Sequence, residues 1–374
     1  MFDRYTSSID QIYAAASGDG DWAAALNSVA DLCGMESCAL VLLDPDLDLA
    51  EVTAPRADPN VAQAYSDHWW SKDPTVSFAN HSPVGVFTSL AECGKNAFLG
   101  SEFHNDFWRY SGLGADRIAT NLLVQGDARA ALVLQANAKR DEVTEEAQRL
   151  FRLLQPHFVR AIDIQRRLTR LDLAQASSRM TATQGASHVL AVDRAGRPVS
   201  AGRDPQSTDP DAAFTSGLLT LNKGIVTLND PIAADRLMGL IASCGRSGAS
   251  LRGGTLSLAD GDGTPVARID VSPWTGHHGD DPRHADPHAP VALLVVHDLR
   301  KRQDQALTIL QDRFGLTGAE ARVALEIARG DGREAAAQRL GITLSTARTH
   351  LSRIYDKTGT RRQAQLVALV SSLI

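Results

Sequence analysis

Residues 334–354 read EAAAQRLGITLSTARTHLSRI, and this stretch decides the fold of the C-terminal part of the chain. The small side chains of Ala335–Ala337 predict a short, closely packed helix that ends near Leu340. Gly341 can adopt the left-handed conformation that ends a helix, and Thr343 stands where a hydroxyl can cap the next one. The stretch therefore predicts a helix-turn-helix unit.

The second helix of this unit has an apolar stripe and an opposite polar face. Ala347, Leu351 and Ile354 recur at steps of four and three, as on the buried side of a helix. On the other face Arg348 can pair with guanine, and the remaining polar and basic groups suit base edges and phosphates. The residues predicted to contact DNA are Thr343, Ser345, Thr346, Arg348, Thr349, His350, Ser352, Arg353, Lys357, Arg361 and Arg362. The alternative is an ordinary surface helix with solvated charges.

The region 316–362 resembles the DNA-binding domain of LuxR-type transcriptional regulators. The family pattern is matched by Leu316-Thr317, Glu320, Gly330, Leu340-Gly341-Ile342, Thr346-Ala347-Arg348-Thr349-His350-Leu351, Lys357-Thr358-Gly359 and Arg362. Departures are mild: Ala335 and Ala347 are smaller than the family's usual Ile and Val. The resemblance implies double-stranded DNA as a partner and a homodimer on a paired operator, with RNA polymerase as a possible further partner.

The charge distribution separates the two parts of the chain. From Lys301 onward there are twelve Lys and Arg against seven Asp and Glu, a balance of +5, while the 374-residue chain carries −6. The first 300 residues therefore carry −11 and are poorly suited to a polyanion. DNA contact is expected only from the C-terminal region.

Composition indicates a globular protein of two or three domains. Hydrophobic residues make up 43% and charged residues 22%, and no apolar run approaches the length of a membrane span. A cytoplasmic protein without membrane contact is expected. The four cysteines (Cys33, Cys38, Cys93 and Cys244) have no metal or redox spacing, so buried thiols are the favoured interpretation.

The order of helix and strand patterns predicts an α+β fold with three domains. Residues 1–172 are predicted to form a GAF/PAS-like sensor domain and residues 178–300 a second, PAS-like domain. Residues 307–374 are predicted to form an all-α LuxR-type helix-turn-helix domain. A long helical pattern from Glu145 to about Leu171, with a kink or break expected at Pro156, could cover its own sheet or pair with a twin in a dimer.

The segment 65–74, YSDHWWSKDP, resembles the effector-binding region of quorum-sensing LuxR-type receptors. There an Asp before Pro hydrogen-bonds the amide of an acylated lactone, and Asp73 occupies that position. Two aromatic positions of the family are Asn60 and Ala64 here, which is a departure from its pattern. We predict a pocket for a small amphiphilic effector formed by Tyr65, Trp69, Trp70 and Asp73. The alternative is that the aromatic residues are core and that Asp73 only begins a turn.

Other candidate sites are weaker. The loop 276–288 contains four His and three Asp, but its spacing matches no zinc pattern and its Gly, Asp and Pro content is that of a solvated loop. We therefore expect neither a metal nor a cofactor. The sequence also lacks a nucleophile elbow, a Walker motif and a His-Glu-x-x-His motif, so an enzyme is not expected.

The sequence thus predicts a DNA-binding transcriptional regulator whose N-terminal domains sense a small effector. One alternative is constitutive DNA binding, with the N-terminal half used only to dock partner proteins. Another is an enzyme tethered to DNA.

Overall fold

The computed structural model describes residues 2–45, 48–79, 82–184, 188–199, 214, 217–245, 252–261, 263–274, 286 and 288–373. Two compact units are formed. One contains Met1–Gly254 and Asp270–Val295, and the other contains Thr255–Ile269 and Val296–Ile374.

The first sheet is antiparallel, with the strand order β2-β1-β5-β4-β3. Its strands are β1 (Ser37–Asp44), β2 (Leu49–Thr53), β3 (Phe87–Ser89), β4 (Leu113–Gln125) and β5 (Ala128–Asn137). The long strands β1, β4 and β5 correspond to the apolar runs predicted from the sequence. The short strands β2 and β3 were not predicted.

Helices cover both faces of this sheet. One face packs on α1 (Phe2–Ser17), α2 (Trp22–Cys33) and the first half of α7 (Glu145–Gln184), and it forms the largest apolar core. The segment between β2 and β4 carries the short helices α3 (Pro59–Asp67), α4 (Pro74–Ala79), α5 (Leu90–Cys93) and α6 (Lys95–Leu99). A 3-10 turn at Trp69–Lys72 lies between α3 and α4, and a π-helical turn at Phe103–Phe107 and a second 3-10 turn at Trp108–Tyr110 follow α6.

Helix α7 is longer than the sequence pattern predicted. It continues through Pro156 without a break and ends at Gln184 instead of near Leu171. Its first half is held by Leu154 and Phe158 in the core of the first sheet. Near its other end Leu173 packs with residues of the second sheet. The intervening Leu168 and Leu171 are exposed, as is Leu153 in the first half of the helix.

The middle of the chain forms a second sheet with the order β10-β11-β12-β6-β7. Its strands are β6 (His188–Val192), β7 (Pro198–Val199), β10 (Gly254–Ala259), β11 (Pro265–Pro273) and β12 (Ala292–Asp298). A separate hairpin joins β8 (Thr220–Asn222) to β9 (Ile225–Thr227), followed by α8 (Pro231–Cys244). A turn at residues 193–197 joins β6 to β7, and β10 lies next to β11 in the sheet. Residues 205–210 and most of residues 212–219 lie outside the described residues.

The C-terminal region is helical, as predicted. It comprises α9 (Leu299–Phe314), α10 (Gly318–Ala328), α11 (Gly332–Arg339), α12 (Leu344–Thr358) and α13 (Gln363–Ser371). Each contributes apolar side chains to one core, including Leu310, Ile327, Ala336, Leu351 and Leu366. The predicted domain limits at residues 300 and 307 both fall within α9, which supplies Leu310 to this core.

Candidate functional site

The first sheet has a second face that borders a cavity. Along β5, Leu132 and Leu134 point to the helix-packed core, whereas Ala131 and Val133 line the cavity, as the two-residue repeat of a strand requires. Side chains from α3, α4 and α5 supply the opposite wall. The cavity volume is about 90 Å³. Most of the lining is apolar, as in sites for small organic ligands.

Asp73 lines this cavity, but its carboxylate is already hydrogen-bonded within the protein. It accepts hydrogen bonds from the Thr75 amide at 2.9 Å, the Thr75 hydroxyl at 2.8 Å and the Tyr65 hydroxyl at 3.3 Å. Its Oδ2 also pairs with Arg117 Nη1 at 3.3 Å. Burial raises the pKa of the Tyr65 hydroxyl well above its ordinary value, and the charge of Asp73 adds to this rise. Asp73 therefore organises the start of α4 as well as the cavity wall.

Arg117 is a buried cation at the same end of the cavity. Its guanidinium carbon lies 4.5 Å from the ring centres of Phe98 and of Trp108, an arrangement that stabilises a cation on aromatic faces. Its Nη1 pairs with Asp73, while Nε and Nη2 have no hydrogen-bond partner among the described residues. Asp73 thus balances the charge of Arg117, although two nitrogen atoms of the guanidinium still have no hydrogen-bond acceptor among the described residues.

Arg129 is the second buried cation of the lining, and it has no carboxylate partner in the described part of the chain. Only 3% of the residue is exposed. Nη2 donates to the backbone carbonyl of Asp127 at 2.7 Å, and Nε and Nη1 are without partners. Burial lowers the pKa of this guanidinium from its ordinary value. In the sheet Arg129 lies opposite Leu43 of β1 and Val124 of β4.

The two tryptophans that the sequence analysis placed in the pocket wall lie elsewhere. Trp69 stacks on Phe107, with ring centres 5.3 Å apart, and Trp70 is buried against Val41 and Leu43. The reason is local: both belong to the 3-10 turn before Asp73, which directs them into neighbouring aromatic and aliphatic clusters. Of the four predicted residues, Tyr65 and Asp73 line the cavity and Trp69 and Trp70 do not.

Three chemically important lining residues were not predicted from the sequence: Arg117, Arg129 and Cys93. Side chains alternate between the two faces of a strand, so the sequence predicts that Arg117 shares a face with Ala119 and Arg129 with Ala131. It does not predict whether that face borders water or a cavity. Cys93 is half-buried, and burial raises the pKa of its thiol. Cys33, Cys38 and Cys244 are buried free thiols.

Helices α11 and α12 are joined by a short turn between Arg339 and Leu344. Gly341 has φ +64° and begins the turn, and the Thr343 hydroxyl accepts a hydrogen bond from the Thr346 amide at 3.1 Å, which caps α12. The stripe of Ala347, Leu351 and Ile354 is buried. Because the stripe is fixed against α10 and α11, the other face of α12 is free to meet a partner.

Most of the residues predicted to contact DNA lie on that free face. Ser345, Thr346, Arg348, Thr349, Ser352 and Arg353 are exposed, as are Arg361 and Arg362 after the helix. Arg348 and Arg353 make no ion pair with any described residue. His350 is half-buried, and its Nδ1 is enclosed without a partner, so this side chain is less accessible than predicted.

Lys357 has a different position from the one predicted. Its Nζ lies 2.7 Å from the Glu320 carboxylate and 2.9 Å from the Gly315 carbonyl. Glu320 is buried and completes the capping box of α10 with Thr317. The ammonium group is therefore bound to the domain's own acid, which assigns it a structural role.

No metal centre is evident in the described ranges, where no three His, Cys, Asp or Glu side chains are grouped to hold an ion. Most of the loop 276–288 lies outside those ranges. Two of its residues are described: Asp286 pairs with Arg166 at 2.9 Å, and His288 Nδ1 lies 3.0 Å from Asp193. No helix of the described chain is long and apolar enough to cross a membrane.

Comparisons with known proteins found little similarity. No protein-family model matches the chain, and no curated protein matches it significantly. Among solved structures, the VqsR LBD domain from Pseudomonas aeruginosa is 16% identical, with a TM-score of 0.36 over 43% of this chain and 95% of that one. The phage VqmA-DPO complex is also 16% identical, with a TM-score of 0.22 over 53% of this chain and 90% of that one. Both scores are low, so the function is inferred below from the residues of this chain.

Proposed function

We propose that this protein is a sequence-specific DNA-binding transcriptional regulator that reads the major groove with α12. The observation that carries this proposal is the asymmetry of α12. Its N-terminus is capped and one of its faces is buried, whereas the opposite face exposes Arg348 and Arg353, which have no acidic partner among the described residues. A rigid helix with free basic and hydroxyl groups is the usual reader of base edges. The +5 charge from residue 301 onward supports contact with a polyanion.

The acidic N-terminal region is proposed to sense an effector in the cavity of the first sheet. A homodimer would present two copies of α12 at a spacing of about 34 Å, one turn of DNA. An effector that binds one dimer arrangement more tightly would shift the population toward it and so change operator affinity. A cavity lined by a buried arginine, two of whose nitrogen atoms have no hydrogen-bond partner among the described residues, favours sensing over a region used only for docking.

The test is Arg348→Ala, measured on an operator selected from a random duplex library. Removing a bidentate guanine contact is expected to weaken specific binding by about 1–3 kcal/mol and to affect non-specific binding less. Arg322→Ala, an exposed arginine of α10, is the matched control for loss of one positive charge. An unchanged footprint in Arg348→Ala would rule out α12 as the reading element.

A further inference from the structure

The cavity floor is long and apolar, with an arginine near each end. Six residues separate Arg129 from Gln135 along β5, a distance of about 20 Å at the rise of a strand. Gln135 lies directly opposite Arg117 in β4. Between the two ends the floor is formed by Ala131, Val133 and other apolar residues of β1 and β4. The floor therefore matches an extended apolar chain better than a compact ring.

The two ends differ in charge. Arg117 has the Asp73 carboxylate and two aromatic faces, so its charge is compensated by the protein. Arg129 donates only to a neutral backbone carbonyl, two of its buried nitrogen atoms have no hydrogen-bond partner among the described residues, and the Asp127 carboxylate acts on it without forming an ion pair. A buried charge without a direct ion pair is costly, and a bound anion would reduce that cost. The Arg129 end is thus the site at which an anion gains most.

We propose that the cavity binds a medium-chain carboxylate whose anionic group pairs with Arg129 and whose alkyl chain extends along β5 toward Arg117. This rests on the proposed function in one respect, that the occupant is the effector of the regulator. One cation without an ion pair matches one negative charge, and a guanidinium pairs well with a planar carboxylate. An uncharged acylated lactone would fill the apolar floor but leave Arg129 without an ion pair.

The first measurement is calorimetric titration of the full chain with decanoate. Methyl decanoate has the same chain without the charge, and decyltrimethylammonium carries the opposite charge. Saturable binding of decanoate, at least tenfold tighter than that of either comparator, is expected. Equal affinity for decanoate and its methyl ester, or no binding of decanoate, would overturn the proposal.

The second measurement uses Arg129→Met, which keeps an apolar side chain of similar length. Loss of a charge-assisted hydrogen bond is expected to weaken decanoate binding by roughly tenfold to a hundredfold. The midpoint of thermal unfolding without ligand should stay level or rise, because a buried charge without an ion pair is removed. A purely structural Arg129 would instead give a lower midpoint and unchanged decanoate affinity.

Two further variants protect the test against misfolding. Arg129→Lys keeps the charge and should retain part of the decanoate affinity, so a variant that folds but binds no better than Arg129→Met would contradict a charge-based site. Arg109→Gln removes an exposed arginine of the same domain and should bind decanoate like the wild type. If Arg109→Gln weakens binding as much as Arg129→Met, general charge and not Arg129 explains the affinity.

The two proposals can fail separately. A gel-shift assay of the ligand-free chain on duplex DNA tests the regulator function alone. Decanoate binding without DNA binding would refute that function and leave the cavity assignment standing. DNA binding without decanoate binding would refute the cavity assignment only.

Discussion

Glu320 is the residue that explains the position of Lys357. The carboxylate is buried at the start of α10, where it accepts a hydrogen bond from the Thr317 amide at 2.8 Å. The Lys357 ammonium group, followed by this backbone hydrogen bond, lowers the pKa of Glu320 to about 2. A charged acid is thus kept inside the domain by a lysine from the end of α12.

Lys357→Met is therefore expected to destabilise the C-terminal domain. Removing one partner of a buried pair leaves the other uncompensated, and because the lysine itself is partly exposed the cost should be about 2 kcal/mol. Urea denaturation gives this value, and the double variant with Glu320→Gln should recover part of it.

The same variant separates this role from contact with DNA. Arg353→Ala should reduce the slope of log binding constant against log salt concentration by about one, whereas Lys357→Met should leave that slope unchanged. A reduced slope in Lys357→Met would return this lysine to the phosphate contacts.

Stability should also depend on pH through Glu320. Its folded pKa of about 2 lies below the ordinary value of 4.5, so the folded state favours the ionised form. The contribution is complete above pH 4.5 and is lost as the pH falls from about 4.5 to about 2, by roughly 2 kcal/mol. The measurement is the difference in unfolding free energy between the wild type and Glu320→Gln. That difference should shrink with acid, and a constant difference between pH 6 and pH 3 would contradict the assignment.

At the scale of elements, the turn between α11 and α12 depends on one glycine. Gly341 has φ +64°, and a side chain added there would meet open space, so a substitution costs backbone strain but causes no clash. Gly341→Ala should destabilise the domain by about 1 kcal/mol. Gly318 at the start of α10 also faces open space but has no positive φ, so Gly318→Ala is a matched control that should be neutral or stabilising. Thermal unfolding of both variants distinguishes the two cases, and equal effects would argue against the turn.

Elements with local signals could be predicted from the sequence. The start and the buried face of α12 follow from its N-cap, Thr343, and from the stripe of Ala347, Leu351 and Ile354. Caps and helical periodicity are local properties, so the sequence alone places this helix to within about one helical turn. The strands β2 and β3 are short and partly exposed, and they exist only through pairing with β1 and β4. Their formation depends on distant partners, which no local pattern reveals.

The two candidate sites differ in how far the sequence predicts them, again because one depends on local signals and the other on distant contacts. The exposed polar face of α12 is the side opposite its apolar stripe, and the sequence pattern predicts it directly. The cavity could not be predicted from the sequence. Strand alternation places Arg129 and Ala131 on the same face of β5, but it does not show which elements pack over that face. Trp69 and Trp70 were placed in the cavity wall because aromatic residues near Asp73 suggest a pocket, but their backbone turn directs them into adjacent clusters.

At the scale of the whole molecule, the C-terminal helices should fold without the rest of the chain. Their core is formed by side chains of α9 to α13, and α9 contributes Leu310. A fragment Leu299–Ile374 should be helical by circular dichroism and should unfold cooperatively. A fragment that begins at Leu307 cuts α9 in half and should be less stable. Equal stability of the two fragments would mean that the first half of α9 contributes nothing, and an unfolded longer fragment would refute the independence of this core.

The continuous α7 has a consequence for local exchange with solvent. Its last side chain in the first core is Ile162 and its next buried one is Leu173, so residues 163–172 have no buried side chain. A ten-residue helix alone is marginal in water, so, apart from the ion pair of Arg166 with Asp286, this bridge depends on its two anchored ends. Its amide protons should therefore exchange as soon as either core opens. Deuterium uptake at this bridge would report the less stable of the two cores, whichever that is, from a single stretch of backbone.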